Sequence, residues 1–287
     1  MTVRSNAGHR VCSLQYEDHR IFSGKPSLPG LPATFGDNAE TLEITMRDPY
    51  LGLKVILRYS VFEDSDALLR STTVINEGTE RVYLESIMSA CLDMPNEDYE
   101  LTTLHGTWAR ERNMVKRPVT QGKFTVDSLT GRTSHENHPF MMVTSTGANQ
   151  TQGDVYGINL VYSGNFRAQA ELDHLDSLRL TMGIHPDGFQ WLLEPGARFD
   201  TPEAVLVYSA EGIGQMTRTF HDLYRNHLIR SPYLNAERPI LINNWEATYF
   251  DFNTEKLIAI AKQASALGIE MLVMDDGWFG HRNDDNT

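Results

Sequence analysis

At Pro239 the spacing of apolar residues changes period, and this constrains the fold more than any other feature of the chain. Upstream, from about residue 10 to 210, short runs alternate with period 2. Leu53, Val55, Leu57, Tyr59 and Val61 are separated by Lys54, Ile56, Arg58 and Ser60, and Leu42, Ile44 and Met46 alternate in the same way just before. Such alternation puts one apolar face of a strand on a core. VYGINLVYS (155–163), with Gly164-Asn165 behind it as a turn, and AVLVYS (204–209) continue the series. Many short strands punctuated by Gly, Pro and Asn predict a large antiparallel β-sandwich over residues 1–210. Ile213, Met216, Phe220, Leu223 and His227 then form one stripe of an amphipathic helix. RSPYLNAER (230–238) reads as a linker, so 211–237 is expected to bridge two segments.

Over 238–287 the pattern is that of a parallel sheet. PILINNW (239–245) is a nearly continuous apolar strand. Residues 254–267 form a helix with Leu257, Ile260, Ala261, Ala264 and Leu267 on one face, Asn253 as N-cap and Gly268 as stop. IEMLVMDD (269–276) is a second buried strand. Strand, helix and strand in apolar runs make a βαβ unit covered on both faces. Two parallel strands alone would leave edges unpaired and one face bare. A complete (β/α)₈ TIM barrel needs about 250 residues, and only about 50 follow Pro239. The expectation is a mixed chain: a sandwich, then the first βαβ unit of an incomplete barrel.

Composition excludes other classes. The net charge of −13 is spread without acidic runs and disfavours a nucleic-acid partner, which would meet clustered positive charge. No apolar stretch approaches the roughly 18 residues of a membrane span. The first twenty residues lack the apolar core of a signal peptide. Cys12 and Cys91 are too few for a disulfide framework, which leans to the cytoplasm.

Barrel enzymes place their chemistry at the C-terminal ends of parallel strands. Asp275-Asp276 ends the second strand and Trp245-Glu246 the first. Gly277 allows a sharp turn after the pair, and Trp278 offers a flat platform for a sugar ring. Asp-Asp-Gly is also ordinary turn chemistry. Glu246 with one aspartate could form an acid/base pair, although a strand-end glutamate often pairs with a nearby cation. His135-Glu136-Asn137-His138 sits in a loop framed by Gly131 and Pro139, without a third ligand cluster, which argues against a metal. Gly212-Ile213-Gly214 opens a helix but has Thr217 where a dinucleotide fingerprint needs its third glycine. Trp191, inside FQWLLEPG, reads as core. Trp108, beside Arg110, Glu111 and Arg112, reads as exposed or interfacial.

Several of these stretches together resemble bacterial α-galactosidases of glycoside hydrolase family thirty-six: RPILINNWEATYFDF (238–252), GIEMLVMDDGWFGHRNDD (268–285), VYGINLVYSGNF (155–166), LHGTWARER (104–112) and SHENHPF (134–140). The resemblance runs from Gly30-Leu31-Pro32-Ala33-Thr34 to Asp285. It implies a β-sandwich (supersandwich) domain, a (β/α)₈ barrel and a small C-terminal β-domain. The implied reaction is retaining hydrolysis of terminal α-1,6-galactosides of the melibiose and raffinose type by two aspartates, without cofactor or metal. The family's nucleophile lies in a Lys-Trp-Asp motif, which does not occur here. No catalytic residue is therefore expected within this chain, and the resemblance implies a piece shortened at both ends. Asp275 and Asp276 match aspartates that accept hydrogen bonds from galactose. Trp108 matches a pocket wall that often reaches the site through subunit assembly, and Trp245 a barrel tryptophan near it. The expected partner is an α-galactoside oligosaccharide, and the implied parent is a homo-oligomer, a tetramer. An α-N-acetylgalactosaminidase or galactosyl-transferring relative is the alternative within the class. A non-catalytic sugar-binding or assembly module is the alternative outside it.

Overall fold

The computed structural model describes residues 1–286. They divide into two compact units, Met1–Ile229 and the residues from Arg230 on.

The first unit is built from three antiparallel sheets. The largest has ten strands. Gln15–Ser23, Ala39–Asp48, Leu53–Phe62 and Ser65–Asn76 form a meander at one end. Glu203–Ser209, Val155–Val161 and Asn137–Thr144 follow in space, and the hairpin Glu100–Thr107/Arg110–Pro118 closes the other end. The short strand Arg198–Asp200 pairs with Ser65–Asn76. A four-stranded sheet (Gly122–Ser128, Phe166–Leu172, Ser177–Ile184, Met88–Pro95) packs on one end of this surface, enclosing Leu101, Met141, Ile158, Phe166 and Leu180. A three-stranded sheet (Thr2–Ser5, Val82–Ser86, Trp191–Leu193) packs toward the meander, enclosing Leu53, Val74, Leu84 and Leu193. The helix Gly212–His227 covers the opposite face with Met216, Phe220 and Leu223, against Met142, Val155, Val205 and Val207. Central strands thus bury both faces: Met141 and Val143 face one core while Met142 faces the other. Each such side chain contributes roughly 1.5–3 kcal/mol on burial. Gly157 lets the helix approach, since a Cβ there would lie 2.7 Å from Met216 Sδ and 2.8 Å from Phe220 Cε2.

Two readings of the sandwich are corrected. Alternation through Leu53–Val61 suggested one buried face along the whole strand. Leu53 and Val55 are buried, but Val61 is 45% exposed, and Arg58, Ser60 and Phe62 are buried instead. The cover changes sides along this strand, from the three-stranded sheet at Leu53 to the helix at Phe62. Buried Arg58 is matched by Glu43 on the neighbouring strand at 2.6 Å. Trp191, expected in the core, is 48% exposed, because it starts a three-residue strand at a sheet edge and meets Phe199 at a tilt instead of being enclosed.

The second unit holds a parallel pair, Leu241–Asn243 with Met271–Val273, joined through the helix Thr254–Ala266. The Asn253 side chain caps that helix by accepting from Lys256 N. Gly268, with φ +83, ends it, its N–H donating to Ser265 O. The strands are shorter and less buried than 239–245 and 269–276 suggested. Ile240 is 61% and Met271 43% exposed, because one helix and two strands cannot cover apolar runs suited to burial on both faces. Leu267, placed on the apolar face, is exposed beyond the last helical turn. No closed barrel occurs among the described residues.

Candidate functional site

In the second unit the first strand ends at Asn243, and Trp245 opens a short helix, Trp245–Thr248, instead of ending the strand. Two asparagines cause the change. Asn243 Oδ1 accepts from Trp245 N (2.8 Å), and its Nδ2 donates to Asp275 Oδ2 (2.6 Å). Asn244, fully buried, accepts from Asp275 N at Oδ1 (2.8 Å) and donates from Nδ2 to Thr248 Oγ1 (2.9 Å). The asparagines therefore bridge the ends of both parallel strands, and Asp275 is held by backbone and side chain together.

Asp276 is held from the other side. Arg282 reaches its carboxylate from Nη2 at 2.9 Å and from Nε at 3.2 Å, and Gly277 N donates to Asp276 Oδ1 at 2.8 Å. The guanidinium hydrogen bond keeps the Asp276 carboxyl below the ordinary carboxylate range, outweighing the desolvation that acts upward. Gly277 has φ +89, and a Cβ there would lie 3.0 Å from Phe250 Cδ1, so glycine suits both the turn and the packing. Trp245 meets Phe250 and Tyr249 edge to face at 4.9 and 5.4 Å. Trp278 stays 61% exposed beside Phe279. Asp275, Asp276, Trp278, Phe279 and Arg282 line one shallow open depression. Ionised carboxylates braced beside an exposed indole can accept from hydroxyls and face a sugar ring. Glu246 does not line it; its carboxylate meets Tyr249 OH at 3.4 Å.

In the first unit Trp108 sits at the tip of the hairpin Glu100–Thr107/Arg110–Pro118 and is 87% exposed. Ala109 and Arg112 take φ of +59 and +55, unusual for residues with a Cβ. Among the described residues no group of three His, Cys, Asp or Glu could hold a metal. The helix opened by Gly212-Ile213-Gly214 offers no free amides to a dinucleotide, since its first N–H groups donate to the carbonyls of Gly153, Asn149 and Gln150. A pocket of the first unit has Asp48 but none of the candidate residues in its lining, and that carboxylate is occupied by the amides of Ser13, Tyr50 and Leu51. Asn243, Asn244 and Arg282 were missed from sequence; paired asparagines closing an apolar run were the available signal.

Residues 1–194 match the profile described as the glycosyl hydrolase family 36 N-terminal domain, and residues 198–287 the profile described as melibiase. The chain belongs to glycosyl hydrolase family 36. Alpha-galactosidase AgaA of Geobacillus stearothermophilus is 48% identical over 99% of this chain, which spans 39% of that relative. Alpha-galactosidase C of Emericella nidulans is 45% identical over 98% of this chain and 38% of its own length. The crystal structure of AgaA matches with a TM-score of 0.97 over 99% of this chain and 40% of that one. A variant of AgaA solved in complex with raffinose also matches at 0.97, with 47% identity over the same shares. This family 36 chain thus spans about 40% of the length of these relatives. Among the described residues no helix is long and apolar enough to cross a membrane.

Proposed function

We propose that the whole protein is a cytoplasmic α-galactosidase that removes terminal α-1,6-linked galactose from raffinose-type sugars, and that this chain supplies binding residues for the galactose. The arrangement of Asp275 and Asp276 carries the reading. Two carboxylates stand just past the C-terminal end of a parallel strand, each braced by protein donors, beside an exposed indole. Galactose hydroxyls donate to such acceptors, and the charge makes each bond stronger than a neutral one. The names of the relatives and the raffinose complex support the same substrate class. Trp245 would stiffen the floor of the site through Phe250 and Tyr249.

The reacting carboxylates, a nucleophile and a general acid/base, belong in this reading to the part of the relatives' length that the chain does not span. Trp108 would wall the pocket as a subunit-borne residue in a homo-oligomer, a tetramer, which accounts for so large an apolar surface on a hairpin tip. The test compares two proteins. The whole protein is expected to hydrolyse p-nitrophenyl α-galactoside and raffinose, whereas the 287-residue chain gives background turnover. Turnover by the chain itself would show that Asp275, Asp276 or Glu246 does more than bind. Failure of the whole protein on α-galactosides would remove the substrate assignment.

A further inference from the structure

The LHGTWARER and SHENHPF motifs, far apart in sequence, meet in the first unit through a chain of polar groups whose direction is fixed. Asn137 Nδ2 donates to Asp127 O at 2.8 Å, because a carbonyl only accepts. That orientation leaves Asn137 Oδ1 facing His105 Nδ1 at 2.7 Å, so Nδ1 carries the proton and donates. In the neutral ring His105 Nε2 then accepts from the Thr103 hydroxyl at 2.6 Å, and Thr103 is fully buried. Thr103 and His105 belong to the first strand of the Trp108 hairpin, Asn137 to the next strand of the same sheet, and Asp127 to the four-stranded sheet. The hairpin is thereby tied across the sandwich.

A second set of contacts lies one residue nearer the tip. Gly106 N donates to Glu136 O at 3.2 Å. A Cβ at Gly106 would lie 2.7 Å from both Arg110 O and Glu111 Cα, and 2.9 Å from His135 O. All three are backbone atoms or Cα, so nothing there can swing aside. The strand bulges at this point, between His105 and Thr107. Asn113 Nδ2 donates to Arg110 O at 2.7 Å and holds the return strand. Beyond these ties the indole of Trp108 stands almost fully in solvent. A rigid base under an unburied aromatic does little for a core, but it reduces the ordering cost when a ligand meets the ring.

We propose that His105 and Asn137 are positioning residues that fix the direction of Trp108 toward the sugar, with the backbone of His135 and Glu136 as their scaffold. This rests on the reading of Trp108 as a pocket wall. The experiment has two arms. In the first, hydrogen exchange is followed over residues 104–113 in the 287-residue chain and in its His105→Phe and Asn137→Ala variants. His105→Phe keeps a ring of similar shape and removes both hydrogen bonds, and it carries the test by itself should Asn137→Ala fold poorly. Exchange about tenfold faster in the hairpin, with that of 155–161 unchanged, is expected. Unchanged exchange in the hairpin overturns the proposal.

In the second arm, KM and kcat for raffinose are measured in the whole protein. Trp108→Ala is expected to raise KM about tenfold with kcat within twofold. His105→Phe should raise KM similarly and add nothing on top of Trp108→Ala. Penalties that multiply in the double variant overturn the proposal, because the histidine would then act by another route. If Trp108→Ala leaves KM unchanged while the hairpin loosens in the first arm, the pocket-wall reading fails and the proposal fails with it, leaving His105 and Asn137 as a structural tie of the hairpin.

Discussion

Arg282 grips the carboxylate of Asp276, six positions before it in the chain, with Nη2 at 2.9 Å from Oδ2 and Nε at 3.2 Å from both oxygens. The pair is only partly covered, so its Coulomb energy is screened and its value lies in orientation. Arg282 keeps the Asp276 carboxyl below its ordinary value. A depressed carboxyl stabilises the fold above its unfolded value, near 3.9, and that contribution disappears as pH falls through the lower folded value. Arg282→Gln should raise the Asp276 value and move the acid limb of sugar binding to higher pH. A pH series of galactose affinity in the whole protein checks this, and superimposable acid limbs would separate the pair from binding.

Asp275→Asn and Asp276→Asn keep the shape of each side chain and remove its charge. A hydrogen bond to a charged group contributes roughly 1.5–3 kcal/mol, so kcat/KM in the whole protein should fall about ten- to more than a hundredfold. Should the bonds tighten as the sugar flattens toward an oxocarbenium-like state, kcat falls as well as affinity. If the pair only caps the turn, melting temperature drops while kinetics stay normal. Steady-state rates beside a melting curve decide between these outcomes.

Lys25 and Glu203 form an ion pair in the first unit, with side chains only 4% and 1% exposed, and Glu203 also accepts from Thr34 N and Oγ1. Removing one charge strands the other. Glu203→Gln should destabilise the unit by about 3–5 kcal/mol, whereas Lys25→Met with Glu203→Gln should recover most of it, because the amide oxygen still accepts from Thr34 and no charge is left unpaired. Urea midpoints of the three proteins measure the difference. A single variant within about 1 kcal/mol of the parent would contradict the burial.

Among the described residues from Arg230 on, only Asn244 and Ala264 are buried. Little apolar area holds that unit closed, so local opening should be easy. Amides of 241–243 and 271–273 should exchange orders of magnitude faster in the isolated chain than those of Val155–Val161. Equal protection in both would mean that the βαβ unit is stable by itself.

What the sequence by itself determined was whatever rests on local repetition. Period 2 and its turns marked the sandwich strands. Spacings of three and four picked out Met216, Phe220 and Leu223 on the helix, and Asn253 and Gly268 bounded the next one, where the side-chain cap and positive φ are found. The strand-end position of Asp275-Asp276 and the charged neighbours of Trp108 were readable for the same reason. Only the tertiary structure decided which face of a strand is covered. Leu53 is buried and Val61 is not, because cover passes from the three-stranded sheet to the helix along that strand. It also decided what braces the site. Asn244 reaches Asp275 across 31 residues, and Asn137 reaches His105 across 32. Periodicity records whether a residue suits burial, but the groups that bury or bond it come from distant parts of the chain. Their identity is set when the sheets close.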